Sequence, residues 1–226
     1  MYTVLSPPIL HTITGLRFQP LVDFHSGQAV AYEVLVEIHN MDLDVLFASL
    51  PTHYAMQIFF WQANMLLQMP DKGQYWLNLP AAQLLDARAI CRLLALRHQQ
   101  RLTIEIQDPS ILARMSAAEQ RSIYKNLHQL KAAGWKIWLD DITLELVDDY
   151  ARLALPVDGI KLDRAELNTN ARFDAFVQFV REKIAKSVLV EGIETTQDLK
   201  RACASGAQFG QGFLWPESRI AASMTE

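Results

Sequence analysis

The chain reads as an α/β protein, a closed barrel of repeated strand–helix units, and two observations predict it. Six short apolar runs each end in an oxygen-bearing or cationic side chain. They are Tyr75-Trp76-Leu77 into Asn78, Thr103-Ile104 into Glu105, Ile137-Trp138-Leu139 into Asp140-Asp141, Gly159-Ile160 into Lys161, Val188-Leu189-Val190 into Glu191, and Ala207-Gln208-Phe209 into Gln211. Helix-length sequence separates consecutive runs. In a closed barrel, residues at the C-terminal ends of the strands converge on one mouth, where such folds carry their active sites. Carboxylates gathered there repel each other unless a cation sits among them, so the pattern points to a metal site.

Taken in order, Arg17 to Val22 and Ala29 to Ile38 read as two strands joined by the turn residues His25-Ser26-Gly27. A link that short makes an antiparallel pair, because a parallel pair needs a long crossover. His53 to Met69 reads as a helix apolar on more than one face. Met56, Phe59, Phe60, Ala63 and Leu66 form its expected core face, leaving Ile58, Trp61 and Met65 for an outer patch. Further helices are expected over Ala81–Arg97, Ser116–Ala133, Leu144–Leu153, Ala171–Ala185 and Thr196–Ala204, punctuated by Pro109-Ser110, Gly134, Pro156 and Gly206. After Pro216 only ten residues remain, so the final barrel helix is expected to be shortened or absent.

The 226 residues, 50% hydrophobic, can bury a full core, and neither a linker nor a low-complexity tract divides them. One domain over 1–226 is the expectation, with 1–16 as an N-terminal extension. Net charge is −4 without a basic stripe, which argues against direct nucleic-acid binding. Cys91 and Cys203 read as reduced structural thiols. No apolar run approaches the roughly 18 residues of a membrane span, and Met1 to Leu10 lacks the features of a signal peptide. A cytoplasmic protein with no membrane contact is expected.

The order and spacing of these motifs resemble the EAL domains, which hydrolyse the bacterial messenger cyclic di-GMP. The matches run from Phe18-Gln19-Pro20-Leu21-Val22-Asp23 to Gln211-Gly212-Phe213, with Glu33-Val34-Leu35 as a variant signature. Between them lie Leu77-Asn78-Leu79, Ile104-Glu105-Ile106, Leu139-Asp140-Asp141, Pro156 to Asp163, and Val190 to Thr195. Eight matches in the right order carry the resemblance. It implies a modified TIM-type barrel with one antiparallel strand near the N-terminus. It also implies a first metal among Glu33, Asn78, Glu105 and Asp140, and a second at Asp140 and Asp141. Lys161 and Glu191 are then expected near the attacking water, with Gln211 at the rim and Asp163 beside the substrate. Carboxylate and amide oxygens suit Mg²⁺ or Mn²⁺, and two such ions favour phosphodiester hydrolysis. Without a metal, the crowded carboxylates are expected to raise at least one pKa.

Two positions depart from the family pattern. Active members carry a phosphate-clamping Arg four residues after the signature Glu; here that residue is Glu37. The lost contact is worth roughly 1.5–3 kcal/mol; a carboxylate aimed at the phosphate adds repulsion, whereas one turned to solvent leaves only the lost contact. After Asp141, a glycine-rich catalytic loop is replaced by Ile142-Thr143-Leu144-Glu145-Leu146-Val147-Asp148, expected to start a helix early under a Thr143 cap. The Glu that braces this loop in the family is matched by the shorter Asp108. The expectation is a catalytically impaired regulator, taking cyclic di-GMP weakly or not at all. It would act through a protein partner in motility, biofilm or virulence control, the partner being a transcription regulator such as the activator of flagellar genes. The alternative is a phosphodiesterase opening cyclic di-GMP to linear pGpG.

Overall fold

The computed structural model describes residues 12–38, 52–97 and 99–221. Its strands are β1 (Ile13–Asp23), β2 (Ala29–Ile38), β3 (Tyr75–Pro80), β4 (Leu102–Gln107), β5 (Lys136–Ile142), β6 (Gly159–Leu162), β7 (Ser187–Val190), β8 (Phe209–Gly210) and β9 (Ser218–Ala221). Strands β2 to β8 pair in parallel in chain order, and β1 closes the ring antiparallel to both β2 and β8. The result is an eight-stranded modified TIM-type barrel. The tight β1–β2 turn is held by Asp23, whose carboxylate accepts from the Ser26 N–H and hydroxyl at 3.1 and 2.7 Å.

The helices are α1 (Thr52–Gln68), α2 (Ala87–Ala95), α3 (Ser110–Arg114), α4 (Ala117–Ala132), α5 (Val147–Leu153), α6 (Arg164–Thr169), α7 (Phe173–Lys183) and α8 (Thr196–Ala204). Helix α4 starts at a capping box of Ser116 with Glu119, and α8 at one of Thr195 with Asp198. The helix expected from Ala81 to Arg97 is broken. A 3₁₀ turn over Ala81–Leu85 ends at Asp86, whose side chain accepts the Arg88 N–H and starts α2 afresh. The expected Ala171–Ala185 helix is α7, and a short helix not anticipated, α6, precedes it, capped by Asp163. In α1 the expected core face is buried, and so is Ile58, which lines a small cleft with Val34 and Val36 of β2. Trp61 and Met65 are half-buried against the core. Ile58 therefore cannot join an outer patch.

At the N-terminus, β1 begins at Ile13, so residues 13–16 of the anticipated extension belong to the barrel. Met1 to His11, and whether they cover the flank, lie outside the described residues. Among the described residues no helix follows β8. The chain turns instead into β9, which pairs with β1 over Gly15–Phe18, where β8 is too short to reach.

Alternate residues of a strand face the same side, and this sorts the barrel interior into two layers. The lower layer holds Leu21, Ala31, Trp76, Trp138 and Leu189 with Phe209, a cluster separate from the main core. Trp138 fits because β6 opposes it with Gly159, where a Cβ would meet the indole at 2.5 Å. One step nearer the mouth, on the strands or just past their ends, lie Gln19, Glu33, Asn78, Glu105, Asp140, Lys161, Glu191 and Gln211. The apolar layer is thus the floor of a polar one.

Candidate functional site

The polar layer is organised around Lys161, a 1%-exposed side chain whose Nζ touches four carboxylates. It lies 3.2 Å from Glu33 Oε2, 3.1 Å from Asp140 Oδ1 and 2.7 Å from Glu191 Oε1, and it is also bonded to Glu105 Oε1. Glu33 receives further donors: Asn78 Nδ2 at 2.9 Å and Gln211 Nε2 at 2.5 Å, the latter also donating to Gln19 Oε1 at 2.8 Å. The structure therefore brings Glu33, Asn78, Glu105, Asp140, Lys161, Glu191 and Gln211 to one point.

Asp141 reaches the same place by a backbone device. On a regular strand it would face away from Asp140. The β5–β6 register shifts between Leu139 and Ile142, and Asp141 adopts a left-handed φ of 50°. Bulges of this kind re-aim side chains beside active sites, and Asp is among the few residues that tolerate the conformation. Oxygens of Asp140, Asp141 and Glu191 consequently all lie within 4.8 Å of one another. Asp163 stands at the edge of the same mouth, lining a cleft of about 190 Å³ with Arg164, Asp141, Glu191 and Gln211.

Five carboxylates face one ammonium here. Burial drives the Glu105 carboxyl well above its ordinary range, reinforced by the Glu33 charge, with Lys161 opposing. Burial and then Asp140 and Asp141 do the same to Glu191, again against Lys161. Asp141 is pushed up to about 6 by burial and Asp140. Repulsion does raise these groups, as expected, but loss of hydration is the larger cause. Glu33 moves the other way: burial would raise it, and Lys161 with the Gln211 and Asn78 donors overcomes that. Burial would likewise lower Lys161, and its carboxylates outweigh it, so the ammonium stays charged.

The donor set fits a hard divalent cation. Buried Asn78 Oδ1, Glu105 Oε2 and Asp140 Oδ1 have no hydrogen-bond partner, although the last lies near Nζ without the alignment of a bond. Unpartnered buried oxygens are rare and costly in folded proteins, and carboxylate and amide oxygens are the ligands that Mg²⁺ or Mn²⁺ prefers. Asp140, Asp141 and Glu191 have the spacing to hold one ion; in the first site expected from the sequence, Glu33, Asn78, Glu105 and Asp140, the Lys161 ammonium stands among the carboxylates.

The family model of the EAL domain matches residues 13–218. The chain belongs to the EAL domain family. Solved structures agree on the fold. PaMucR phosphodiesterase in a c-di-GMP complex is 24% identical with a TM-score of 0.68, over 93% of this chain and 98% of that one. The Bacillus subtilis YkuI protein, with an EAL domain, in complex with substrate c-di-GMP and calcium, is 21% identical with a TM-score of 0.73, over 92% of this chain and 55% of that one. Klebsiella pneumoniae BlrP1, in a manganese and cy-diGMP complex, is 20% identical with a TM-score of 0.68, over 96% and 61%. The chain thus spans little more than half the length of the last two. Among curated proteins no sequence matches.

Against this EAL frame, the Glu37 carboxylate is engaged by a side chain of the protein itself. Its Oε1 pairs with Arg219 Nη1 of β9 at 3.2 Å, crossing β1 over Gly15, where a side chain would collide with the Ile220 carbonyl at 2.8 Å. The segment after Asp141 also differs from expectation. Thr143 caps no helix; residues 143–146 form a turn closed by the Leu146 N–H on the Thr143 carbonyl, and α5 starts at Val147. The reason is that β5 pairs as far as Ile142 with Leu162, so the chain must first leave the barrel wall. Nor is the turn braced by Asp108, which has no side-chain bond among the described residues; Glu166 of α6 accepts the Leu144 N–H at 2.9 Å. Sequence reasoning missed Gln19, Glu166 and Arg219. Gln19 sat inside a matched motif, while nothing local marks the other two.

Proposed function

We propose that this EAL domain is a catalytically impaired regulator. It keeps its cation layer, takes cyclic di-GMP weakly and acts in the cytoplasm by binding a protein, of which a transcription regulator of motility genes is the leading candidate. The observation that carries the reading is Glu37 held by Arg219: the position expected to clamp a substrate phosphate presents a carboxylate, and the nearby cation is engaged with it. The glycine-free turn over 143–146, pinned by Glu166, supports slow turnover. Around the mouth end, Phe213 is 69% exposed, Leu144 51% and Ile220 42%, apolar surface that suits a protein contact.

Convergence of the whole ligand layer favours a second reading, a slow cyclic di-GMP phosphodiesterase. When bound, two divalent cations would activate water and neutralise phosphoryl charge. The protein's own part is positional. Gln211 and Asn78 fix Glu33, Lys161 supplies a cation and hydrogen-bond donor at Nζ, and Glu191 faces Asp140 and Asp141 across the opening.

One experiment separates the readings. The protein is expressed in a motile enteric host, comparing wild type with Glu33→Ala and Leu144→Asp. A phenotype that survives Glu33→Ala and disappears with Leu144→Asp supports the regulator. Dependence on Glu33 rejects it in favour of the enzyme.

A further inference from the structure

At the end of the barrel opposite the mouth, beneath the aromatic floor, lies a bowl of about 640 Å³. That volume falls within the ~300–1,000 Å³ of small-molecule sites. The residues around it sit at the starts of the parallel strands: Gln74 precedes β3, Lys136 opens β5, and Ser187 opens β7. Its base is aromatic. Trp76 and Trp138 meet with centroids 4.5 Å apart and their planes tilted by 46°, and Phe209 meets Trp138 edge-on at 6.0 Å. Both indoles are under a tenth exposed, and both line this bowl.

The polar rim is asymmetric in what it leaves free. Two carboxylates stand there, and both are already engaged. Asp158 binds Lys131 and accepts the Ile137 N–H at 2.7 Å. Asp23 is bound by the Ser26 N–H and hydroxyl and faces the His25 N–H at 3.4 Å. By contrast, the side chains of Lys136, Gln74 and Ser187 have no hydrogen-bond or ion-pair partner among the described residues. The bowl therefore offers an aromatic base, one unpaired cation and neutral donors, with no free carboxylate. With Lys136 as its unpaired charged side chain, such a site favours a flat aromatic molecule with a negatively charged group.

We propose that this bowl is a second ligand site, independent of the mouth, for a small planar aromatic anion. The rings seat on the Trp76–Trp138 pair, and the anionic group lies toward Lys136. Trp76 and Trp138 lie two residues before Asn78 and Asp140 on the same strands, so a single layer of side chains separates the ligand from the cation layer.

The test titrates the full chain with anilinonaphthalene sulfonate, a planar aromatic anion, and with its uncharged parent anilinonaphthalene. Binding is read as energy transfer from tryptophan. Two rim substitutions are compared: Lys136→Glu reverses the free charge, and Val30→Trp, at a 45%-exposed rim residue, fills the bowl. The expected result is one saturable site for the sulfonate, weakened about fivefold or more by Lys136→Glu while the neutral probe changes less than about twofold. Val30→Trp weakens both probes about tenfold. Should that variant not fold, the charge selectivity of Lys136→Glu decides alone. Absence of saturable binding, indifference of the sulfonate to Lys136→Glu, or equal loss of both probes in that variant would each overturn the proposal.

Discussion

Exchanging Glu37 for Arg tests the argument about the phosphate clamp, because the structure fixes what the change removes and adds. The Glu37–Arg219 pair is partly exposed, 29% and 64% for the two side chains, so losing it costs only about 0.2–1 kcal/mol. An Arg contact to a phosphate gains roughly 1.5–3 kcal/mol, which is about one to two decades in affinity. The repulsion removed with Glu37 is small, since Arg219 already screens it. Glu37→Ala should therefore tighten cyclic di-GMP binding by less than about fivefold, and Glu37→Arg by about tenfold to a hundredfold. Because the contact exists in the ground state, turnover at saturation should change little. The assay is calorimetric titration with Ca²⁺ present, followed by turnover with Mn²⁺. Equal affinities for the Ala and Arg variants would refute the clamp argument. So would a wild type that already binds as tightly as the Arg variant.

Replacing Lys161 with Met leaves four carboxylates around a neutral side chain, so urea denaturation should show a loss of about 3–5 kcal/mol, partly restored by Mn²⁺; a loss under about 1 kcal/mol contradicts the central role given to Nζ. Mn²⁺ binding measured by paramagnetic resonance should vanish in Glu33→Ala with Asp140→Ala, and its survival would place the ion elsewhere. Tyr75 is pushed up to about 12 by burial and its bond to Asp71, above the ordinary value of 10.0. The stability this contributes is complete below pH about 10 and fades as pH rises through about 12. Burial pushes Tyr150 up as well, so phenolate absorbance should show two late tyrosines, of which Asp71→Ala moves only Tyr75 earlier. Glu166→Ala should free the Leu144 amide to exchange faster with solvent while costing about 1–2 kcal/mol; unchanged exchange would mean that Glu166 does not hold the turn.

Much of this protein was readable from short-range pattern. The apolar runs end where the strands reach the polar layer, because a strand inside a barrel alternates faces and its polar residue must meet others like it. The link at His25-Ser26-Gly27 made β1 antiparallel, since no crossover fits in so few residues. The expected spans Ser116–Ala133 and Thr196–Ala204 match α4 and α8 almost to the residue, and the capping boxes that start both helices act within a single turn. What the sequence alone left open involves partners far apart along the chain. Glu37 could have faced a phosphate or solvent. Only the folding of Ser218–Ala221 onto β1 brought Arg219 to it, and Gly15 left room for the meeting. The early helix under Thr143 was reasonable from propensity, yet pairing of Ile142 with Leu162 held the backbone extended and Glu166 fixed the turn. Asp141 shares the mouth with Asp140 through a register shift that no residue type announces. The aromatic bowl follows the same logic. Strands from around the ring contribute side chains to it, and closure of the ring is what turns separate tryptophans into a surface.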